Sequence, residues 1–389
     1  MVMACLEAVV LICLSLQFYH YVLYPLLLGI IWWLRRGRPA PAGNGPYRVS
    51  LIISAFNEER VIADKLRNCA QLVPAPVEVI LVCDGSDDHT AEIARGLDLP
   101  GLTLHVMHRP ERQGKSAAMN RAADCAIGDI LLFSDANAFY LPETIGAITR
   151  EFRDPSVAVV SGAKKILEEP AKASSVGQAD GLYWRYEAFI RKCESDLGTT
   201  VASVGEILSI RQEYWRPIPP GTVNDDAWMT LVSLAQGLNV RFAPDAISLE
   251  EASPDANFEA TRRRRINSGR LKLLGTREVW PLRRPRVLLA LLSHKVLRVL
   301  LPIPMIAGFV ANLAVVMWPK ASVLMDVTLL VQLAALGLGV AGHFFSISGR
   351  KARLPSLAYH VLRGNVSALL AMYDVMRGQS HTIWQKPPR

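Results

Sequence analysis

The sequence predicts an α/β protein: a mostly parallel sheet with helices on both faces, set in a cytoplasmic domain that transmembrane and interfacial helices flank. Three observations point there. Short β-rich runs alternate with helical patterns from Val49 onward, polar clusters fall where the strands end, and long uncharged runs bracket the whole. Alternating strands and helices build a parallel sheet, and ligands then bind beyond the carboxyl ends of its strands.

The first element is an almost uncharged stretch from Cys5 to Leu34, closed by Arg35, Arg36 and Arg38. It exceeds the roughly 20 residues that a spanning helix needs. A cleaved leader is disfavoured by the lack of a basic residue before the run and by its length. Residues 1–38 are therefore read as an anchor, and the Pro/Gly stretch Pro39 to Pro46 as a linker.

In the next region, Val49–Ser54, Val77–Cys83, Leu102–Met107 and Ile130–Ser134 read as strands, and Glu58–Cys69, Asp88–Arg95 and Lys115–Ala126 as helices. This domain is taken as 47–284. The membrane region, 285–389, holds two expected spans, about 300–318 and 323–346, joined at Pro319-Lys320-Ala321-Ser322. The part before Pro302 carries His294, Lys295 and Arg298, which suits the interface. A last segment, 354–376, includes His360, Arg363, Asn365 and Asp374, which are costly in lipid unless they face protein, and is left as interfacial or spanning. Basic residues follow the first span, precede the second (Arg283, Arg284, Arg286) and follow the third (Arg350, Lys351, Arg353). By the positive-inside rule the domain between Tyr47 and Arg286 is cytoplasmic, at the inner membrane.

Composition agrees. Of 389 residues 51% are apolar, and the mean hydropathy of +0.21 is high for a soluble protein. The formal charge of +8 comes without any nucleic-acid motif, so anionic lipid and diphosphates are the expected partners. Six scattered cysteines with no CxxC pair are neither a disulfide framework nor a metal knuckle.

The chemistry sits at the strand ends. Strand one ends in Ser54-Ala55-Phe56-Asn57-Glu58-Glu59 and strand two in Cys83-Asp84-Gly85-Ser86-Asp87-Asp88. Either alone is equally an ordinary turn with Ser86 or Asp88 as helix cap; together they suit a nucleobase, whose N–H a carboxylate accepts while Gly85 allows close approach. Gly114-Lys115 opens a helix without the full spacing of a phosphate loop. Asp135 and Asn137 offer two oxygen ligands past strand four, suited to Mg²⁺ or Mn²⁺ beside a diphosphate, or else an Asx-turn. Asp225 and Asp226 open a helix over Ala227–Gln236, as caps or as chemistry. The run Arg262-Arg263-Arg264-Arg265 is either a lipid-facing surface or part of the site.

The order of these clusters, with Tyr183-Trp184, Gly205 to Arg211 and the closing Arg377-Gly378-Gln379 and Trp384, resembles the membrane-bound family 2 glycosyltransferases, the group of cellulose, chitin and hyaluronan synthases. The resemblance implies a GT-A fold and an inverting, metal-dependent transfer from a UDP-sugar to a saccharide or lipid-linked acceptor near the membrane. Under it Asn57, Glu58, Glu59 and Asp84 hold the uridine nucleotide, and Lys115 and Asp135 lie at the donor. Asp135 and Asn137 stand at the DxD metal motif. Asp226 is the catalytic base of the TED motif, with Asp225 in place of its glutamate. Arg262 and Arg265 match QxxRW, on the acceptor and diphosphate side. Asn137, Arg262 and Ile266 depart from that pattern, the last two against processive synthesis, and Glu206 stands where a small or apolar residue is usual. Rival readings are a processive polysaccharide synthase, a polyprenyl-phosphate glycosyltransferase and a non-catalytic nucleotide-sugar-binding scaffold.

Overall fold

A computed structural model describes residues 1–35, 45–167, 175–251, 256–318, 322–348 and 352–379, without the side chains of 167, 175–180, 251 and 256–258. Arg36, Arg38, most of the Pro/Gly linker, Pro319 to Ala321, Arg350, Lys351 and Trp384 lie outside the described residues.

The chain opens with α1 (Val2–Phe18) and α2 (Tyr24–Leu34), continuous through a π-helical turn at Tyr19–Leu23. The α/β domain then runs β1 (Val49–Ala55), α3 (Ile62–Ala70), β2 (Glu78–Asp84), α4 (Thr90–Gly96), β3 (Leu104–Arg109), α5 (Lys115–Cys125), β4 (Ile130–Asp135), β5 (Phe139–Tyr140), α6 (Thr144–Glu151), β6 (Val157–Leu167), α7 (Ser175–Asp196), β7 (Ile207–Arg211), α8 (Asp225–Ala235), β8 (Asn239–Glu251) and α9 (Ala256–Leu274). Five further helices follow: α10 (Pro285–Leu291), α11 (Leu297–Leu300), α12 (Pro302–Val316), α13 (Val323–Ile347) and α14 (Arg353–Met376).

One eight-stranded sheet, in the order β3-β2-β1-β4-β7-β6-β8-β5, organises the domain. The expected parallel half is β3-β2-β1-β4, whose neighbours all pair in parallel. Beyond it the sheet is mixed: β7 runs antiparallel to both β4 and β6, and β5 antiparallel to β8, while β6 and β8 are parallel. The central strands are continuous apolar runs because both faces are covered. Leu51, Ile53, Leu81 and Leu132 pack under α3, α4 and α6, whereas Ile52, Ile80, Val82 and Phe133 pack under α5 and α8.

Among the described residues two helices are long and apolar enough to cross a membrane, Val2–Leu34 and Val323–Ile347. The expected span near 300–318 is shorter. Its helical core, α12, has 15 residues, roughly 22 Å at 1.5 Å per residue, and it qualifies only together with Pro285–Leu300, from which it bends by 59°. The break falls at Pro302, which cannot donate to the preceding turn. The 354–376 segment forms α14, outside that pair of spans, and its His360, Arg363, Asn365 and Asp374 are all buried against protein.

The first helix is bolted to the domain through polar side chains. Tyr24 donates to Glu194 at 2.7 Å and Trp32 Nε1 to Asp196 at 2.7 Å, both carboxylates lying on α7. His294 then bridges Glu194 and Glu187, at 2.9 and 3.1 Å, joining α7 to the α10–α11 segment.

Candidate active site

The carboxyl ends of β1, β2 and β4 and the start of α8 converge on one cleft. At the ends of β1 and β2 two loops are laced together by hydrogen bonds. The Asn57 N–H donates to Ser86 Oγ at 3.1 Å, Glu58 N–H to Thr90 Oγ1 at 2.8 Å and Glu59 N–H to Asp88 Oδ2 at 3.1 Å. The Asn57 amide also exchanges bonds with Asp87, and its φ of 55° is a left-handed conformation that asparagine tolerates. The Asp88 carboxylate receives the Thr90 N–H at 3.0 Å, just ahead of α4, whose N-cap position is His89 and not Asp88 or Ser86.

Asp84 closes this side. Its Oδ2 accepts the N–H groups of Gln113 and Gly114, at 3.0 and 2.6 Å, and its Oδ1 accepts Arg121 Nη2 at 2.8 Å. The loop before α5 therefore folds back over β2, and the Arg112 guanidinium stacks 3.6 Å above the Phe56 ring. Gly85 makes this possible: its φ is 72°, and a Cβ there would lie 2.5 Å from Arg112 Cβ. Arg112 and Arg121 were not singled out from sequence. Arg121 lies six residues after Lys115 on one helix, a spacing that carries no signal by itself.

At the end of β4 Lys115 joins two elements. Its Nζ lies 2.7 Å from Asp135 Oδ1, at the end of β4, and 3.4 Å from Asp225 Oδ2, in the first turn of α8. Burial alone would lower the lysine pKa, but Asp135, Asp225 and Asp226 together raise it, so the ammonium is permanently charged. Asp226 is pushed up to about 6, first by burial and then by the neighbouring Asp225 charge; the Ala227 N–H, Arg270 and Lys115 oppose the rise. Gly205 borders the same spot, for a Cβ on it would stand 3.5 Å from Asp226 Cβ and 3.9 Å from Lys115 Nζ.

Helix α9 forms the opposite wall. Asn224 Nδ2 donates to the Ile266 carbonyl at 3.1 Å, and Gly269 lets the helices touch, since a Cβ there would lie 2.5 Å from Asn224 Oδ1. Arg262 and Arg265, one turn apart, share a face. Both are electrostatic neighbours of Asp135; Arg262 pairs first with Glu259, at 3.7 Å, and also neighbours Glu206, while Arg265 neighbours Asp225. Arg265 Nε is buried without a hydrogen-bond partner among the described residues. Burial and Arg262 lower the Arg265 pKa, yet a guanidinium so far above neutrality stays charged.

Glu206, which sequence left without an account, belongs to a buried ion network. Lys164 lies 3.0 Å from Glu206 and also bonds Glu250 on β8. Burial would raise the Glu206 pKa, but Lys164 and Arg262 hold it down at about 2.

The residue types suit a divalent cation: Asp135 offers a carboxylate at the end of β4, and the half-buried Asn137 two residues on offers an amide oxygen. No group of three or more His, Cys, Asp or Glu that could hold a metal occurs among the described residues. The donor set is then one carboxylate, one amide and the oxygens of a bound diphosphate, hard ligands of the kind Mg²⁺ and Mn²⁺ accept. Of the predicted site residues, Lys115, Asp135, Asp225 and Asp226 are thus brought together, with Arg262 and Arg265 as electrostatic neighbours, while Asn57, Glu58, Glu59 and Asp84 belong to the laced loops at the ends of β1 and β2.

Known proteins share the family and the fold of this chain. The sequence model described as "Glycosyl transferase family 2" matches residues 50–209, and that described as "Glycosyl transferase family group 2" matches residues 130–340. The chain is 35% identical over 105 residues to "Glycosyltransferase AglD" of Haloferax volcanii, covering 26% of this chain and 17% of that one. It is 33% identical over 103 residues to "Succinoglycan biosynthesis protein ExoU" of Rhizobium meliloti, covering 26% and 30%. The matched part is less than a third of either relative's length. The solved structure of mannosyltransferase PcManGT from Pyrobaculum calidifontis, in complex with GDP-Man and Mn²⁺, superposes with a TM-score of 0.68 at 21% identity, covering 94% of this chain and 99% of that one. That likeness makes the fold GT-A-like.

Proposed function

The chain belongs to the glycosyl transferase family group 2, and from that premise we propose that it is an inverting transferase that moves a sugar from a UDP-sugar to a saccharide or lipid-linked acceptor at the cytoplasmic face of the inner membrane. Transfer from a nucleotide-sugar to an acceptor is the activity of the family, and the apolar helices associate the chain with membrane. The observation that carries the finer reading is the pairing of Lys115 with both Asp135 and Asp225, which gathers the donor end of the cleft and the start of α8 around one charge.

In this reading Asp226 is the base. Its carboxylate takes the proton of the acceptor hydroxyl as that oxygen attacks the anomeric carbon, and the bond to the nucleotide diphosphate breaks on the opposite side, inverting the configuration. Arg265 and Arg262 face the departing diphosphate and offset its charge. Asp135 and Asn137 would hold a Mg²⁺ or Mn²⁺, which when bound would supply Lewis-acid neutralisation of the diphosphate charge. Lys115 keeps Asp135 and Asp225 from repelling one another.

Uracil is favoured by hydrogen-bond accounting at Asp84. A carboxylate has about four acceptor positions, and three at Asp84 are filled by Gln113, Gly114 and Arg121. The remaining one suits the single N3–H of uracil, whereas the N1–H and N2–H of guanine ask for two. GDP-mannose in the Pyrobaculum enzyme makes guanine the rival to test.

The test is turnover of radiolabelled UDP- and GDP-sugars by the purified chain in lipid with candidate acceptors, with Mn²⁺, Mg²⁺ or EDTA, followed by product sizing and solvent extraction. Metal-dependent release of UDP with a short product supports the proposal. Release of GDP overturns the uracil assignment, a long polymer overturns single addition, and donor binding without turnover makes the chain a scaffold.

A further inference from the structure

The four consecutive arginines of α9 go to different places. A helix turns about 100° per residue, so Arg262 and Arg265 share the face toward the cleft, whereas Arg263 and Arg264 leave it. Arg263 turns back one helical turn onto Glu259, at 2.8 Å. Arg264 leaves the domain for the membrane region. Its Nε donates to Asp374 Oδ2 at 2.6 Å and its Nη2 to Asp374 Oδ1, a two-pronged pair with a carboxylate on α14 that is fully buried.

Such a fork fixes direction as well as distance, because both N–H groups and both oxygens must lie near one plane. On the opposite side α9 is held to α8 by Asn224 and the close approach at Gly269. The helix is therefore gripped on two sides, by the element that carries Asp225 and Asp226 and by a membrane-region helix. Rotation of α9 by even a fraction of a turn would swing Arg265, whose buried Nε has no hydrogen-bond partner among the described residues, away from Asp135 and Asp225.

We propose that Asp374 is a positioning residue for the diphosphate end of the site: through Arg264 it sets the rotation of α9 and so aims Arg262 and Arg265 into the cleft. The proposal rests on the reading of Arg265 as a diphosphate ligand, and it makes the packing of α14 a condition for tight nucleotide binding. A latch that merely held the membrane helices together would leave nucleotide recognition alone, or weaken every nucleotide alike.

The experiment is titration of the full chain in lipid nanodiscs with UDP and with UMP, which lacks the β-phosphate, for the native protein and for Arg265→Ala, Asp374→Asn and Asp374→Glu. Asp374→Asn is expected to weaken UDP by about fivefold and leave UMP unchanged, with Asp374→Glu recovering part of the loss. If Arg265→Ala weakens UDP but Asp374→Asn does not, or if Asp374→Asn weakens UDP and UMP equally, the positioning role is wrong. If Arg265→Ala leaves UDP unaffected, the diphosphate reading beneath it is wrong. Should Asp374→Asn fail to fold, Arg264→Lys keeps the charge without the fork and is expected to give the same UDP-selective loss; UDP binding unchanged in that variant overturns the proposal equally.

Discussion

The Lys115 ammonium sits 2.7 Å from Asp135 and ties it to Asp225 at 3.4 Å, so a strand end and a helix start distant in sequence share one cation. Lys115→Met should unbalance three carboxylates at once. The expected result is a loss of about a hundredfold in kcat/KM with the fold intact by circular dichroism. Because Lys115 opposes the rise of the Asp226 pKa, the acid limb of the rate profile should also move to higher pH. Unaltered kinetics would mean that Lys115 only pins the loop.

The pH profile tests the base itself. The Asp226 pKa is raised to about 6 by burial and by Asp225. A base must be ionised, so kcat/KM should be full above that value and fall as pH drops through it. Asp225→Asn removes the like charge and should shift the limb downward, while Asp226→Asn should cost roughly a hundredfold or more in rate and keep donor binding. A limb that Asp225→Asn leaves in place would assign the titration to another group.

Much of this was legible in the sequence, and the reason is physical. The parallel half of the sheet is buried on both faces, so its strands are unbroken apolar runs ending in polar clusters, and the topology carries those clusters to one edge. The mixed half was not legible. Strands β6 and β8 include Lys164, Arg241 and Glu250, charged side chains that interrupt any apolar run yet are buried, Lys164 and Glu250 pairing diagonally between the two adjacent strands. Likewise the polar residues of α14 read as costly in lipid unless they face protein, but the sequence does not show which protein group they face; for Asp374 it is Arg264. Periodicity reports which face is apolar, whereas buried ion pairs depend on a partner far along the chain.

Metal dependence can be tuned at Asn137. Asp135 is the one carboxylate of the motif, and the neutral amide two residues on adds less charge. EDTA should abolish turnover, and Asn137→Asp should lower the Mn²⁺ concentration for half-maximal rate severalfold, since a second carboxylate raises affinity for a hard cation. The rise of rate with Mn²⁺ measures this directly, and an unchanged midpoint would remove Asn137 from the metal set.

Gly85→Ala probes the proposed nucleotide slot. The backbone there has φ of 72°, and the new methyl would lie 2.5 Å from Arg112 Cβ and 2.8 Å from its backbone nitrogen. The loop bearing Arg112, Gln113 and Gly114 must then shift away from Asp84. A stability loss of about 1–3 kcal/mol and a raised donor KM are expected, the first by denaturant titration and the second by initial rates. A normal KM would show that the loop is not part of the slot.

The last prediction concerns the joint between domain and membrane region. Glu187 on α7 is almost wholly buried and faces three cationic or protonatable groups, His294 at 3.1 Å, Lys295 at 2.7 Å and Arg298 at 2.6 Å. Removing one partner of a buried ion cluster costs more than the cluster contributes, because the charges left behind stay desolvated. Glu187→Gln keeps the shape and removes the only carboxylate these three groups share among the described residues, at about 3–5 kcal/mol. Lys295→Met leaves Glu187 paired with Arg298 and should be milder. The double variant should recover part of the loss, since it removes one of the stranded charges. Thermal unfolding in detergent separates these cases: a large drop for Glu187→Gln with partial recovery in the double variant is expected. Strictly additive losses would mean that Glu187 and Lys295 act independently and that His294 and Arg298 carry the joint.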